Sequence, residues 1–198
     1  MNFSLKVEIK STILAVIFGV LMSGCLAKDA SKLSYYELGY NNDSNTTQIC
    51  DRRADLMLNL AYIKVQDGYN SRDIITKDGI NVSKMNNAKY IASPKDMLKK
   101  ALVLYLNSNC YLKLSSDASL QMGLNITEMS IQPRYAFIQI ALELSQNGKV
   151  IANEIISAKK SFDDLNNATS SKNIAMNAMN LALENALWQI HQAALRYR

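Results

Sequence analysis

The chain has 198 residues, 48% of them hydrophobic and 20% charged, with seven glycines and two prolines. Those proportions exclude a disordered chain, a collagen-like repeat and a disulfide-dense miniprotein, and the length suits one domain with its own core. The formal charge of +5 is spread along the chain, with no basic cluster interleaved with aromatics, so nucleic acid is not the expected partner.

The first ten residues carry Lys6 and Lys10, and residues 12–22, TILAVIFGVLM, are apolar throughout. A spanning helix needs about 20 apolar residues, so this shorter run reads as the core of a signal peptide. Leu21-Met22-Ser23-Gly24-Cys25 follows it and resembles the lipobox of bacterial lipoproteins. The alternative is an ordinary secretory signal that ends near a cysteine. The lipobox resemblance implies cleavage before Cys25 and acylation of its thiol, so that residue 25 becomes a membrane tether. Two or three acyl chains make such anchoring lasting, where a single chain gives only marginal binding. The expected organisation is a lipoprotein signal peptide over residues 1–24, a lipid-anchored tether over 25–34 and a single α+β domain over 35–198.

Residues 34–38, SYYEL, open the domain as a short strand candidate, and residues 39–48, GYNNDSNTTQ, form a polar, turn-rich loop. Within that loop, Asp43-Ser44-Asn45-Thr46-Thr47 resembles the sequon that some bacteria glycosylate in periplasmic proteins, which makes Asn45 a candidate. A chance match in an Asn-rich chain is the competing reading. Residues 56–65, LMLNLAYIKV, are apolar on both alternating faces, as in a central strand. Residues 72–76 and 80–84 flank Lys77-Asp78-Gly79 as a hairpin, and residues 88–92 suggest another short strand. Ser93-Pro94-Lys95-Asp96 is a helix start, with a serine cap, proline at the first helical position and an acid at the positive end of the dipole. That helix should run to about residue 107 and bury Met97, Leu98, Ala101, Leu102, Tyr105 and Leu106.

Residues 120–126 and 136–144 alternate cleanly, and Asn147-Gly148 joins the second to residues 150–157 in the strongest hairpin signal of the chain. Residues 171–197 read as a long closing helix whose core face is Met176, Met179, Leu183, Leu187, Ile190, Ala194 and Tyr197. Strands, helix, strands, helix predict an α+β fold, a mostly antiparallel sheet with two helices packed on one face.

The closing helix carries a second apolar stripe, Ile174, Leu181, Trp188 and Leu195, each seven residues from the next and roughly opposite the core face. Either the helix is sandwiched between the sheet and the first helix, or part of this stripe meets another subunit or a partner. With Cys25 acylated, Cys50 and Cys110 remain, a pair suited to a disulfide in an exported chain; the alternative is two buried free thiols. The bridge would close a loop of about sixty residues, for which the chain-entropy model gives roughly 4 kcal/mol. No catalytic constellation, phosphate loop or metal-ligand spacing is present in the sequence, and the one histidine, His191, reads as a surface or capping residue. Asp163-Asp164 reads as a solvated carboxylate pair. The expectation is a non-enzymatic protein without cofactor or metal.

Several segments, in order, resemble the ABC-type transport auxiliary lipoproteins, the group that includes the paraquat-inducible lipoprotein. They are Tyr35-Tyr36-Glu37-Leu38, Tyr69-Asn70-Ser71-Arg72-Asp73-Ile74, Ala88 to Leu98 with Tyr90 where members often carry Trp, and the Ala/Leu-rich helix from Asn173 to Ala194. The resemblance implies a non-catalytic subunit of a lipid-trafficking machine, with a mammalian-cell-entry type protein and an ABC permease and ATPase as partners. A homo-oligomer is also compatible with it. It places the lipid anchor at the periplasmic face of the outer membrane, and Leu26 after the cysteine agrees, because an aspartate there favours the inner membrane in familiar Gram-negative sorting. The competing class is an assembly or activator lipoprotein for an outer-membrane barrel or a cell-wall synthase. A lipid-modified hydrolase is a third class, which lacks its motifs here.

Overall fold

A computed structural model describes residues 32–40, 56–162 and 168–197. Its strands are β1 (Ser34–Tyr36), β2 (Leu56–Val65), β3 (Asp73–Asp78), β4 (Asn81–Tyr90), β5 (Leu112–Leu114), β6 (Leu120–Gln132), β7 (Tyr135–Gln146) and β8 (Lys149–Ser161). Two helices are described, α1 (Pro94–Ser108) and α2 (Ala168–Leu195). Cys25, Asn45, Cys50 and Asp163-Asp164 lie outside the described residues, as does the signal segment.

The sheet is mixed, which corrects the expected mostly antiparallel arrangement. The pairs β3–β4, β6–β7 and β7–β8 are antiparallel, whereas β1–β4, β2–β5, β2–β6 and β3–β6 are parallel. The antiparallel pairs are the ones closed by tight turns. Asn147 (φ 52°) and Gly148 (φ 75°) make the β7–β8 turn, both in the left-handed region that a two-residue hairpin of this hand requires. The β3–β4 turn falls one residue later than expected. Asp78 pairs with Asn81, so Gly79 (φ 57°) and Ile80 form the tip.

β6 organises the sheet. One edge pairs with β7 along its whole length, while the other is shared: β2 lies beside residues 121–126 and β3 beside residues 130–131. Ile126 opposes Ile140 and Glu128 opposes Gln139, so Thr127 is an extra residue in a bulge. The bulge moves the inward set from Leu120, Met122, Leu124 and Ile126 to Met129 and Ile131, keeping apolar residues on the core face of a bent strand. β2 carries a similar irregularity between Leu60 and Tyr62. Its apolar residues on both faces therefore reflect a change of parity, not a strand buried on both sides; Met57 is 54% exposed.

Both helices cover one face. α1 begins as its sequence dictates: the Ser93 hydroxyl accepts from the Asp96 N–H at 3.2 Å and donates to the Asp96 carboxylate at 2.6 Å. It buries the six residues expected of it and rests on β2 and β5. α2 rests on β7 and β8. Ala175, Ala178, Ala182, Ala186, Ala193 and Ala194 are all essentially buried, and such short side chains let its axis lie close to the sheet. Residues 37–40 run between the helices. The Leu38 N–H meets the Met97 sulfur of α1 at 3.5 Å, and the Gly39 N–H donates to Asn180 of α2 at 3.1 Å.

Candidate interaction surface

α2 presents four sides. Towards the sheet lie Met176, Met179, Leu183, Leu187 and Ile190, all buried. On the flank facing residues 36–40 and α1, Asn173 accepts from the Tyr36 hydroxyl at 3.2 Å, Asn180 holds Gly39, and His191 meets Tyr105 edge-on at 5.8 Å between ring centres. On the flank over β8, the Gln189 amide donates to the Ser157 carbonyl at 3.1 Å, and Arg196 pairs with Glu154 at 2.5 Å. The remaining side faces away from the sheet, and it carries the predicted stripe. Trp188 is 55% exposed, Ile174 45% and Leu181 38%, while Leu195 is half-buried. The helix is therefore not sandwiched by α1. Asn177 and Asn185 are exposed beside the stripe, with Glu184 half-buried. A tryptophan flanked by aliphatics and framed by amides is suited to a protein interface, where aromatic anchors dominate binding and a polar rim excludes water. The arrangement offers shape and apolar area, not acid–base chemistry.

Two expectations about single residues change. Tyr197 lies beyond α2 and is 37% exposed, so it does not extend the core face. His191 is 4% exposed rather than a surface or capping residue, because its helical position turns it onto Tyr105, which itself packs edge-on against Tyr40. Burial leaves the His191 Nε2 without a hydrogen-bond partner and holds the imidazole pKa below its ordinary value. An unfolded histidine takes up its proton near pH ~6.5 and the folded one only below that. Stability contributed by keeping His191 neutral is thus complete above the unfolded value and is lost as pH falls towards the folded one. The urea midpoint should drop between about pH 7 and about pH 5, and His191→Gln should flatten that drop. Asp73 contributes separately and at lower pH, since its hydrogen bond to Lys84 holds its carboxyl below the usual carboxylate range.

Cys110 is disulfide-bonded, and its partner lies outside the described residues. Among the described residues no group of three His, Cys, Asp or Glu side chains is placed to hold a metal ion.

The face of the sheet away from the helices holds a shallow hollow of about 260 Å³ that sequence reading missed. Tyr62 of β2, Gly123 of β6 and Glu143 of β7 lie in one cross-strand row. The Tyr62 ring covers Gly123 so closely that a Cβ there would come 2.2 Å from its Cζ. Burial, then the charge of Glu143 and a hydrogen bond to it, raise the Tyr62 pKa. Asn125, Asn153, Glu154 and Ile155 also line the hollow. The signal in sequence was the glycine inside an otherwise regular strand, which marks a close approach from a neighbour.

No family model and no curated protein matches the chain. Its likenesses are to solved structures. A crystallised protein of uncharacterised function superposes with a TM-score of 0.59 at 12% identity, covering 84% of this chain and 99% of that one. A Xanthomonas campestris protein described under the DUF330 family model gives a TM-score of 0.60 at 10% identity, covering 83% and 99%. A Caulobacter crescentus protein proposed to be a lipoprotein overlaps less, with a TM-score of 0.39 at 10% identity over 50% of this chain and 80% of that one. At these identities the first two likenesses establish a shared fold across nearly the whole of those proteins.

Proposed function

We propose that this protein is a non-catalytic, lipid-anchored subunit of an envelope lipid-transport system of the ABC type, held at the periplasmic face of the outer membrane by Cys25. The observation that carries the reading is the exposed stripe of Ile174, Leu181 and Trp188 on the side of α2 turned away from its own sheet. The lipobox-like Leu21-Met-Ser-Gly-Cys25 and the ordered segments that resemble transport auxiliary lipoproteins support it from the sequence. The stripe would dock on a mammalian-cell-entry type protein served by a permease and ATPase, while the acyl chains fix the domain to one membrane.

Two measurements test this. Affinity purification of the native lipoprotein from membranes should recover the permease, the ATPase and the mammalian-cell-entry type protein. Recovery of an outer-membrane barrel or a cell-wall synthase instead assigns the protein to assembly or activation, and recovery of the chain only with itself assigns the stripe to a homo-oligomer. Separately, Cys25→Ala should leave an unprocessed precursor that takes up no labelled fatty acid; equal incorporation into wild type and variant removes the anchor from the proposal.

A further inference from the structure

The strand directions put several exposed features at one end of the sheet. β1 runs parallel to β4, with Ser34 beside Ala88 near the finish of β4, so the chain approaches β1 from the direction of the end where β4 begins. β3 finishes at that end, and so do β6 and β8, because β3 is parallel to β6 and both β6 and β8 are antiparallel to β7. The β3–β4 hairpin also overhangs the sheet there. Thr76 is level with Ile131, so Lys77 and its partner Val82 are level with Gln132, the last residue of β6, and Asp78 to Asn81 reach beyond it, about one residue further than the turn between β6 and β7. At the tip, Ile80 is 97% exposed and Val82 60%. An isoleucine at the tip of a two-residue turn contributes nothing to the fold's own core, and turns are ordinarily polar.

The same end is basic. The β6–β7 turn carries Arg134, β8 carries Lys159 and Lys160 just before its last residue, Ser161, and Lys172 in the first turns of α2 donates to the Asn86 carbonyl at 2.7 Å. The Lys159 ammonium stands 3.7 Å from the centre of the Tyr135 ring, beside that turn. Among the described residues the acidic side chains closest to this end in the topology are Asp78 beside the tip, Asp73, which pairs with Lys84 and Lys89, and Glu128, which pairs with Lys77 at 3.0 Å.

Chain length agrees with the direction. Cys25 and Ser34 are nine residues apart, which spans at most about 30 Å. Measured along β3, whose five steps from Asp73 to Asp78 match Lys89 to Asn81 of the bulged β4, the hairpin extends about 15 Å past the level of Ser34, at roughly 3.3 Å per residue. An acylated Cys25 therefore leaves the tip within reach of the bilayer.

We propose that the Gly79–Ile80 hairpin tip is a membrane-contacting wedge, with Ile80 and Val82 in the headgroup–acyl boundary and Arg134, Lys159, Lys160 and Lys172 over anionic headgroups. This rests on the lipid-anchor reading and adds an orientation to it: the entry end of the sheet faces the bilayer and α2 stands away from it along its length. Apolar side chains of this kind seat in the interface, and each nearby basic residue adds to attraction for anionic lipid.

The test uses the mature lipoprotein in vesicles of phosphatidylethanolamine and phosphatidylglycerol in equal parts, with bromine on the acyl chains as quencher. Trp188→Phe removes the chain's single tryptophan, and Ile80→Trp or Ile155→Trp then places one reporter at the tip or on the open sheet face. Ile80→Trp should lose roughly half its emission, as expected for insertion 5–10 Å deep, and Ile155→Trp should keep its own. Equal emission from the two reporters assigns the tip to water or to a protein partner and overturns the proposal. Intact mass of the same samples reports acylation. A chain without acyl groups defeats the anchor reading alone, and the tip is then read after coupling Cys25 to a maleimide phospholipid.

Discussion

Trp188→Ala combined with Leu181→Ala should leave the melting temperature almost unchanged and weaken partner binding by about 2 kcal/mol or more, the scale of a lost hot spot. Both side chains are substantially exposed, and surface substitutions of this kind ordinarily change stability by less than about 0.5 kcal/mol. Alanine also has the highest helix propensity, so the backbone of α2 gains rather than loses. Calorimetry of the isolated domain and titration against the recovered partner separate the two effects. A loss of several kcal/mol in folding stability, on the scale of large-to-small core changes, with normal binding by the remaining folded fraction, would remove the interface from α2.

Why that stripe was legible while other features were not follows from how periodicity is read. A helix repeats every 3.6 residues regardless of its neighbours, so Ile174, Leu181 and Trp188 fall on one side wherever α2 is placed. The β7–β8 turn was equally plain, because Asn147-Gly148 states its own conformation. Parallel pairs have no such marker: β2 and β6 are separated by two strands, a helix and a third strand, and nothing local announces their alignment. The bulge at Thr127 hid half of β6, since alternation that changes parity looks like alternation that has stopped. His191 was misplaced for a related reason. One imidazole in a helix has no period of its own, and its burial depends on where Tyr105 of a distant helix happens to stand.

Cys110→Ser should lower unfolding stability by about 2–4 kcal/mol, the usual worth of a native disulfide. The chain holds three cysteines, so the partner of Cys110 is Cys25 or Cys50. Pairing with Cys50 predicts that Cys50→Ser costs the same as Cys110→Ser and that the double substitution costs no more than either. Urea denaturation of the three variants decides the matter. Should Cys50→Ser leave stability unaltered while Cys110→Ser lowers it, the bridge runs to Cys25. An acylated thiol cannot also be a disulfide, so the anchor would fall with the pairing.

The shared edge of β6 has a consequence for how the molecule comes into being. β2 and β3 are synthesised well before the strand that joins them, and neither can settle into the sheet until residues 121–131 have appeared. On the lipid-anchored reading, a chain exported from its N-terminus thus spends much of its passage with β2 and β3 each lacking the neighbour that joins them, β3 held only by β4 and β2 by no more than β5. Long-range pairing of this kind slows folding and prolongs exposure to proteases and to aggregation. Maturation should therefore lean on holding chaperones until β6 arrives, and nascent chains stalled short of residue 132 should be degraded rather than accumulate as a folded N-terminal half.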